Sequence, residues 1–211
     1  MSAYSAQEEL DQLKTWWKNY GASIVVGVTL GAVLLFGYRY WSQHVEATRE
    51  AASALYDQLI DAARANKPEA GVAGEKLMHD YASTPYAGMG VLVLARQAHL
   101  AGDRALARQH LEWALAHAAD SATQHAARLH LARLLLDLGE LQAVTPLLEV
   151  KDVAGFEAEY LELKGDVAVK QGEKDAARTA YRAALEKLGQ ESPYRSVVSM
   201  KLDDLGTEKP Q

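Results

Sequence analysis

The feature that most constrains this chain is a run of twenty residues without charge between Lys18 and Arg39. Positions 21–38 are apolar apart from the hydroxyls of Ser23 and Thr29 and the ring of Tyr38. At ~1.5 Å of rise per residue, twenty helical residues cover ~30 Å, the hydrocarbon thickness of a bilayer. Trp16, Trp17 and Tyr20 stand at one end and Tyr38, Tyr40 and Trp41 at the other, where amphipathic rings favour the headgroup region. A cleaved signal peptide would have a shorter apolar core and a small-x-small site, whereas Tyr38, Arg39, Tyr40 and Trp41 follow this one. A core helix would keep a polar face. The expectation is a retained membrane-spanning helix over 20–41, preceded by a short tail over 1–19.

Charge sets its orientation only weakly, because Lys14 and Lys18 precede the segment while Arg39 and Arg49 follow it. The balance slightly favours a cytoplasmic tail and a translocated remainder. Within the segment, Gly27 and Gly31 form a GxxxG pair that shares one helix face and permits close approach of another helix. They are candidates for packing in the membrane. Leu10, Leu13 and Trp17 fall at helical spacing, which extends the anchor backward as a short interfacial helix.

Composition governs the remainder. The chain is 49% hydrophobic and 24% charged, with only two Phe beside ten Tyr and four Trp. Abundant Ala and Leu favour helix over strand, so the fold class is all-α: one transmembrane helix, then a helical-repeat solenoid. The net charge of −6 lies entirely beyond the anchor, which argues against binding nucleic acid. With no Cys, disulfides, thiolate catalysis and Cys-ligated zinc are excluded.

Three segments align on a glycine that separates two amphipathic stretches, at Gly102, Gly139 and Gly172. Their separations of 37 and 33 residues bracket the roughly 34-residue period of the tetratricopeptide helix–turn–helix. The last unit resembles that consensus closely: small Gly165 and Ala168 where its helices cross, Gly172 at the turn, Ala177 for close contact, and Tyr181 with Ala184 facing the next helix. Ala95, Ala98, Ala107, Leu111 and Ala114 fit a looser unit, and Ala132, Val144 and Leu148 another, with Lys151 in place of its final small residue. A degenerate unit over 47–80 has Leu55, Leu59 and Leu77 at helical positions and Asn66, Lys67 and Pro68 as its turn. The repeat domain is expected to span 42–206, and a flexible C-terminus 207–211.

No catalytic constellation accompanies this pattern. The seven His include no i,i+3 or i,i+4 pair, leaving a helical metal site unsupported. Dinucleotide, P-loop and nucleophile-elbow motifs are absent. The expectation is a non-enzymatic protein without cofactor or metal. If the first helix of each unit lines a concave surface, the register places Met89, Leu92, Arg96, His99, Leu129, Arg133 and Leu136 there as a candidate protein-binding groove. Glu159, Glu162, Asp166 and Lys170 continue it. Such a mixture suits extended polypeptide, with apolar pockets for affinity and charges for register.

Three segments carry a more specific resemblance: Glu8-Glu9-Leu10-Asp11-Gln12-Leu13-Lys14-Thr15-Trp16-Trp17-Lys18-Asn19-Tyr20-Gly21, Tyr86-Ala87-Gly88-Met89-Gly90 and Tyr160-Leu161-Glu162-Leu163-Lys164-Gly165-Asp166. Over nearly its whole length the chain resembles the YfgM-like ancillary subunits of the SecYEG translocon. The resemblance implies a bacterial inner-membrane protein with its large domain in the periplasm. It further implies association with SecYEG and a PpiD-like periplasmic chaperone, contact with emerging polypeptides, and help in handing translocated proteins to periplasmic chaperones. The alternative it leaves open is a membrane-anchored scaffold that regulates an envelope stress response by sequestering a signalling protein.

Overall fold

The computed structural model describes residues 2–153 and 155–206, with side chains from residue 13 onward. The expectation for 207–211 therefore lies outside the described residues. Among them there are nine helices and no strand. The first, α1, runs without interruption over Ser2–Arg64, through both the tail and the uncharged run.

Within the uncharged run of α1 the large apolar side chains are bare on every face. Val28, Leu30, Leu34 and Phe36 are between 59% and 73% exposed, which rules out a core helix whose apolar stripe is covered by its own protein. The segment is long and apolar enough to cross a membrane. Its Thr29 hydroxyl donates to the Val25 carbonyl at 2.8 Å, so this polar group needs no water. Contacts divide the chain into two compact units after Ala51. The end of α1 from Ala52 belongs to the second.

The helices of the second unit begin and end on local chemistry. They are α2 (Glu69–Asp80), α3 (Pro85–Leu100), α4 (Arg104–His117), α5 (Ser121–Asp137), α6 (Leu141–Leu148), α7 (Glu157–Gln171), α8 (Lys174–Lys187) and α9 (Tyr194–Asp204). Pro85 opens α3, where its missing N–H costs nothing. Asp103 and Asp120 cap α4 and α5 by accepting from the Leu106 and Thr123 N–H groups at 2.9 and 2.8 Å.

One turn recurs at the three repeat glycines. Gly102, Gly139 and Gly172 all have φ near +80° (81°, 77° and 81°), a left-handed conformation that glycine adopts without a Cβ clash. In each case the next residue's N–H reaches back five positions: Asp103 to Ala98, Glu140 to Leu135, and Glu173 to Ala168, at 2.9, 2.9 and 2.8 Å. The glycine N–H itself bonds three positions back, completing a Schellman motif. Three copies of one turn give three helix pairs the same reversal.

Packing follows the solenoid pattern. Helices α3 and α4, α5 and α6, and α7 and α8 pair within units, while α3 meets α5 and α5 meets α7 across units. Ala52 and Leu59 of α1 close the first unit against Ala73 and Leu77 of α2 and Ala87 and Leu94 of α3. In the last unit a Cβ on Gly165 would lie 2.4 Å from the Tyr181 ring, so the helices approach as closely as only glycine allows. Tyr181 thus packs against Gly165 of its own unit, and it shares one buried cluster with Ala177, Ala184 and Val198 of α9. The middle unit is abbreviated. Pro146 removes one backbone hydrogen bond from the eight-residue α6, and the chain leaves the helix before Lys151.

Candidate protein-binding groove

Because α3 and α5 are first helices of successive units, they lie side by side, and a cavity of about 520 Å3 opens along them. Leu92, Ala95, Leu111 and Leu134 supply its apolar lining, while Arg96, His99, His130, Arg133 and Asp137 bring polar ends to it. Leu100, at its edge, is 73% exposed. An apolar floor with a few convergent polar groups is the usual composition of a binding site. Burial, with help from the Arg133 charge, lowers the affinity of His130 for a proton. Arg96 and Arg133, whose guanidinium groups stay charged at any ordinary pH, are the permanent cations of the groove.

Their positions repeat. Arg96 stands six residues before Gly102, Arg133 six before Gly139, and Asp166 six before Gly172; ten residues before the same glycines stand Leu92, Leu129 and Glu162. This register builds a row of charges across successive helices. Arg133 of α5 pairs with Glu162 of α7 at 3.1 Å and donates to the Tyr194 hydroxyl of α9 at 3.0 Å. Lys201 of α9 bonds Glu162 and both oxygens of Asp166, the latter at 2.8 and 2.6 Å. Tyr181 donates to Asp166 at 2.7 Å. The network ties α5, α7, α8 and α9 together at the C-terminal end of the repeat.

Its electrostatics are those of a buried, mutually satisfied cluster. Burial would push the Glu162 carboxyl up, but the hydrogen bond and charge of Lys201, with Arg133, outweigh it and hold this acid below its ordinary range. Asp166 goes the other way: burial raises it against its bonds from Lys201 and Tyr181, and the Glu162 charge adds to the rise. Burial likewise pushes the Tyr194 phenol up to about 12, with Arg133 opposing. Lys201 is raised, since Asp166 and Glu162 overcome the effect of burial.

Of the residues that the register assigned to the concave surface, the cavity brings together Leu92, Arg96, His99 and Arg133. Leu129 and Leu136 are not among them, being only 3% and 5% exposed within the central core. The reason is the position of α5, which touches α3, α4, α6 and α7 and so is covered on nearly every side. Met89 is half-buried and lies away from the cavity lining. Glu162, also read as a groove acid, is 1% exposed and serves the ion network instead. Sequence reasoning missed Tyr194 and Lys201, whose partners lie 61 and 39 residues away. It also missed His130, which lines the cavity one turn before Arg133, with part of its side chain open to solvent.

The family described as Tetratricopeptide repeat-like domain matches residues 14–207, so it takes in the uncharged run as well as the repeats. A protein of Haemophilus influenzae named "Ancillary SecYEG translocon subunit" is 32% identical over 96% of this chain and the whole of its own length. The chain belongs to this family of ancillary SecYEG translocon subunits. Relatives of the same name occur in Neisseria gonorrhoeae, 30% identical over 94% of the chain and 96% of the relative, and in Escherichia coli, 28% identical over 85% and 86%. The family match and the alignment with the Haemophilus influenzae relative both take in the uncharged run of this chain. There Gly27 is exposed, and a Cβ at either Gly27 or Gly31 would meet nothing within 4 Å. The small-residue face of this family member has no partner within its own described residues.

Proposed function

We propose that this chain is a non-enzymatic, protein-binding accessory subunit of the SecYEG translocon, helping to hand translocated proteins to periplasmic chaperones. The observation that carries the reading is the end-to-end similarity to relatives named as ancillary SecYEG translocon subunits, with the uncharged run included. In this reading the helix over 20–41 spans the inner membrane, the tail over 1–19 is cytoplasmic, and the repeat domain over 42–206 is periplasmic. A PpiD-like chaperone is the second partner. The bare Gly27–Gly31 face supports lateral docking, because small residues let helices approach closely in lipid, where no hydrophobic effect drives them together.

Affinity purification of the chain from membranes tests this directly. Wild type should recover SecYEG and the membrane-bound chaperone, and replacing both Gly27 and Gly31 with leucine should cut recovery about ten-fold, a loss of ~1–2 kcal/mol of helix packing. Unchanged recovery removes the glycine face from the reading. Recovery of a cytoplasmic signalling protein in place of the channel favours the sequestering scaffold.

A further inference from the structure

The charge row across the first helices is matched everywhere except at one end. Arg133 finds its carboxylate on the next helix, at Glu162. The residue that occupies the same place relative to Arg96 is Leu129, which offers none. Arg96 accordingly makes no ion pair among the described residues. It is exposed, stands at the mouth of the α3–α5 cavity, and has the apolar surfaces of Leu92, Ala95 and Leu134 beside it.

We propose that this groove binds an extended polypeptide segment carrying an aspartate or glutamate next to a large apolar side chain. The ligand carboxylate pairs with Arg96 as Glu162 pairs with Arg133, and the apolar neighbour fills the cavity. The proposal rests on the reading of the repeat domain as protein-binding and specifies what it binds. Charge complementarity identifies the occupant. Two guanidinium groups reach the cavity, and Arg133 is already held by Glu162 and Tyr194, which fixes it in place and leaves Arg96 to take the incoming acid. Asp137, one turn beyond Arg133 on the cavity edge, repels a carboxylate placed there. The acid is thereby confined to the Arg96 level, which sets the ligand's register. A guanidinium beside an apolar pocket also has the composition of a recognition hot spot.

Fluorescence anisotropy with the full chain in detergent tests the site, using a labelled Gly-Ser-Leu-Glu-Leu-Ser-Gly peptide and its counterpart with Gln for Glu. Wild type should bind the Glu peptide about ten-fold more tightly than the Gln peptide, as expected for a charge-assisted bond at a partly desolvated site. The preference should shrink as NaCl rises from about 0.05 M to about 0.5 M. In Arg96→Gln it should disappear, while Arg96→Lys should retain part of it. Equal binding of both peptides by wild type, or a preference that survives in Arg96→Gln, overturns the proposal. Copurification with SecYEG is read in parallel. A wild type that recovers the channel but binds neither peptide contradicts the groove alone, whereas one that recovers no channel contradicts the translocon reading.

Discussion

Replacing Glu162 with leucine is expected to lower the stability of the repeat domain by about 3 kcal/mol, the lower end for breaking a buried ion pair. The carboxylate is 1% exposed and serves both Arg133 and Lys201. Its removal strips two cations of a partner, although Lys201 keeps Asp166 and Arg133 keeps Tyr194, which limits the loss. For a domain of this size the change amounts to about 6–12 °C in Tm, measured by thermal unfolding of the full chain in detergent. Replacing Glu162, Arg133 and Lys201 together with leucine or methionine should recover much of the loss, since apolar side chains can substitute for a whole buried ion cluster. A single variant as stable as wild type would show that the network contributes nothing.

The same residue sets the acid response. The Glu162 acid is held below its ordinary range in the folded chain, so its contribution is present above the unfolded value, about pH 4.3, and is lost as pH falls through the lower folded value. Asp166, raised on folding, has the opposite sign and favours the folded state below its unfolded value. The gap between wild type and the Glu162→Leu variant should therefore be widest above about pH 5 and narrow toward pH 3.

The second large effect concerns the anchor. Arginine at both Val28 and Leu30, near the middle of the uncharged run, should abolish stable membrane insertion. Each substitution costs ~2.5–3.5 kcal/mol at a helix centre, and the two positions lie on different faces, so one neighbouring helix cannot shelter both. Alkaline carbonate extraction reads the outcome. Wild type should remain with the membrane pellet and the double variant should be released or degraded, whereas a double variant that stays in the pellet contradicts a membrane-spanning role.

These effects differ in how far sequence alone exposes them. The anchor is legible because charge is absent over a length that the bilayer fixes. The repeat turns are legible because a positive φ selects glycine, and Gly102, Gly139 and Gly172 keep one hydrogen-bond pattern at one place in each unit. Surface and interior of α5 are not legible from its own pattern. Leu129, Leu131, Leu134, Leu135 and Leu136 are all buried, so the polar stripe of His130, Arg133 and Asp137 is narrow, and the flanking helices decide which leucines are covered. The Glu162 network is hidden for another reason: its bonded partners lie up to 61 residues apart in sequence, and an isolated Glu on an amphipathic helix reads as solvated charge. Aligning the units on their turn glycines brings Arg133 and Glu162 into one frame and leaves Arg96 facing Leu129.

The central claim, a groove that receives polypeptide beside the translocon, is tested most directly by photocrosslinking in living cells. A photoreactive residue at Leu100, exposed at the edge of the cavity, is compared with one at Gln109, exposed on the second helix of the same unit. The account predicts crosslinks from Leu100 to translocating chains, periplasmic chaperones or channel subunits, and few from Gln109. Crosslinks from Gln109 with none from Leu100 would contradict it.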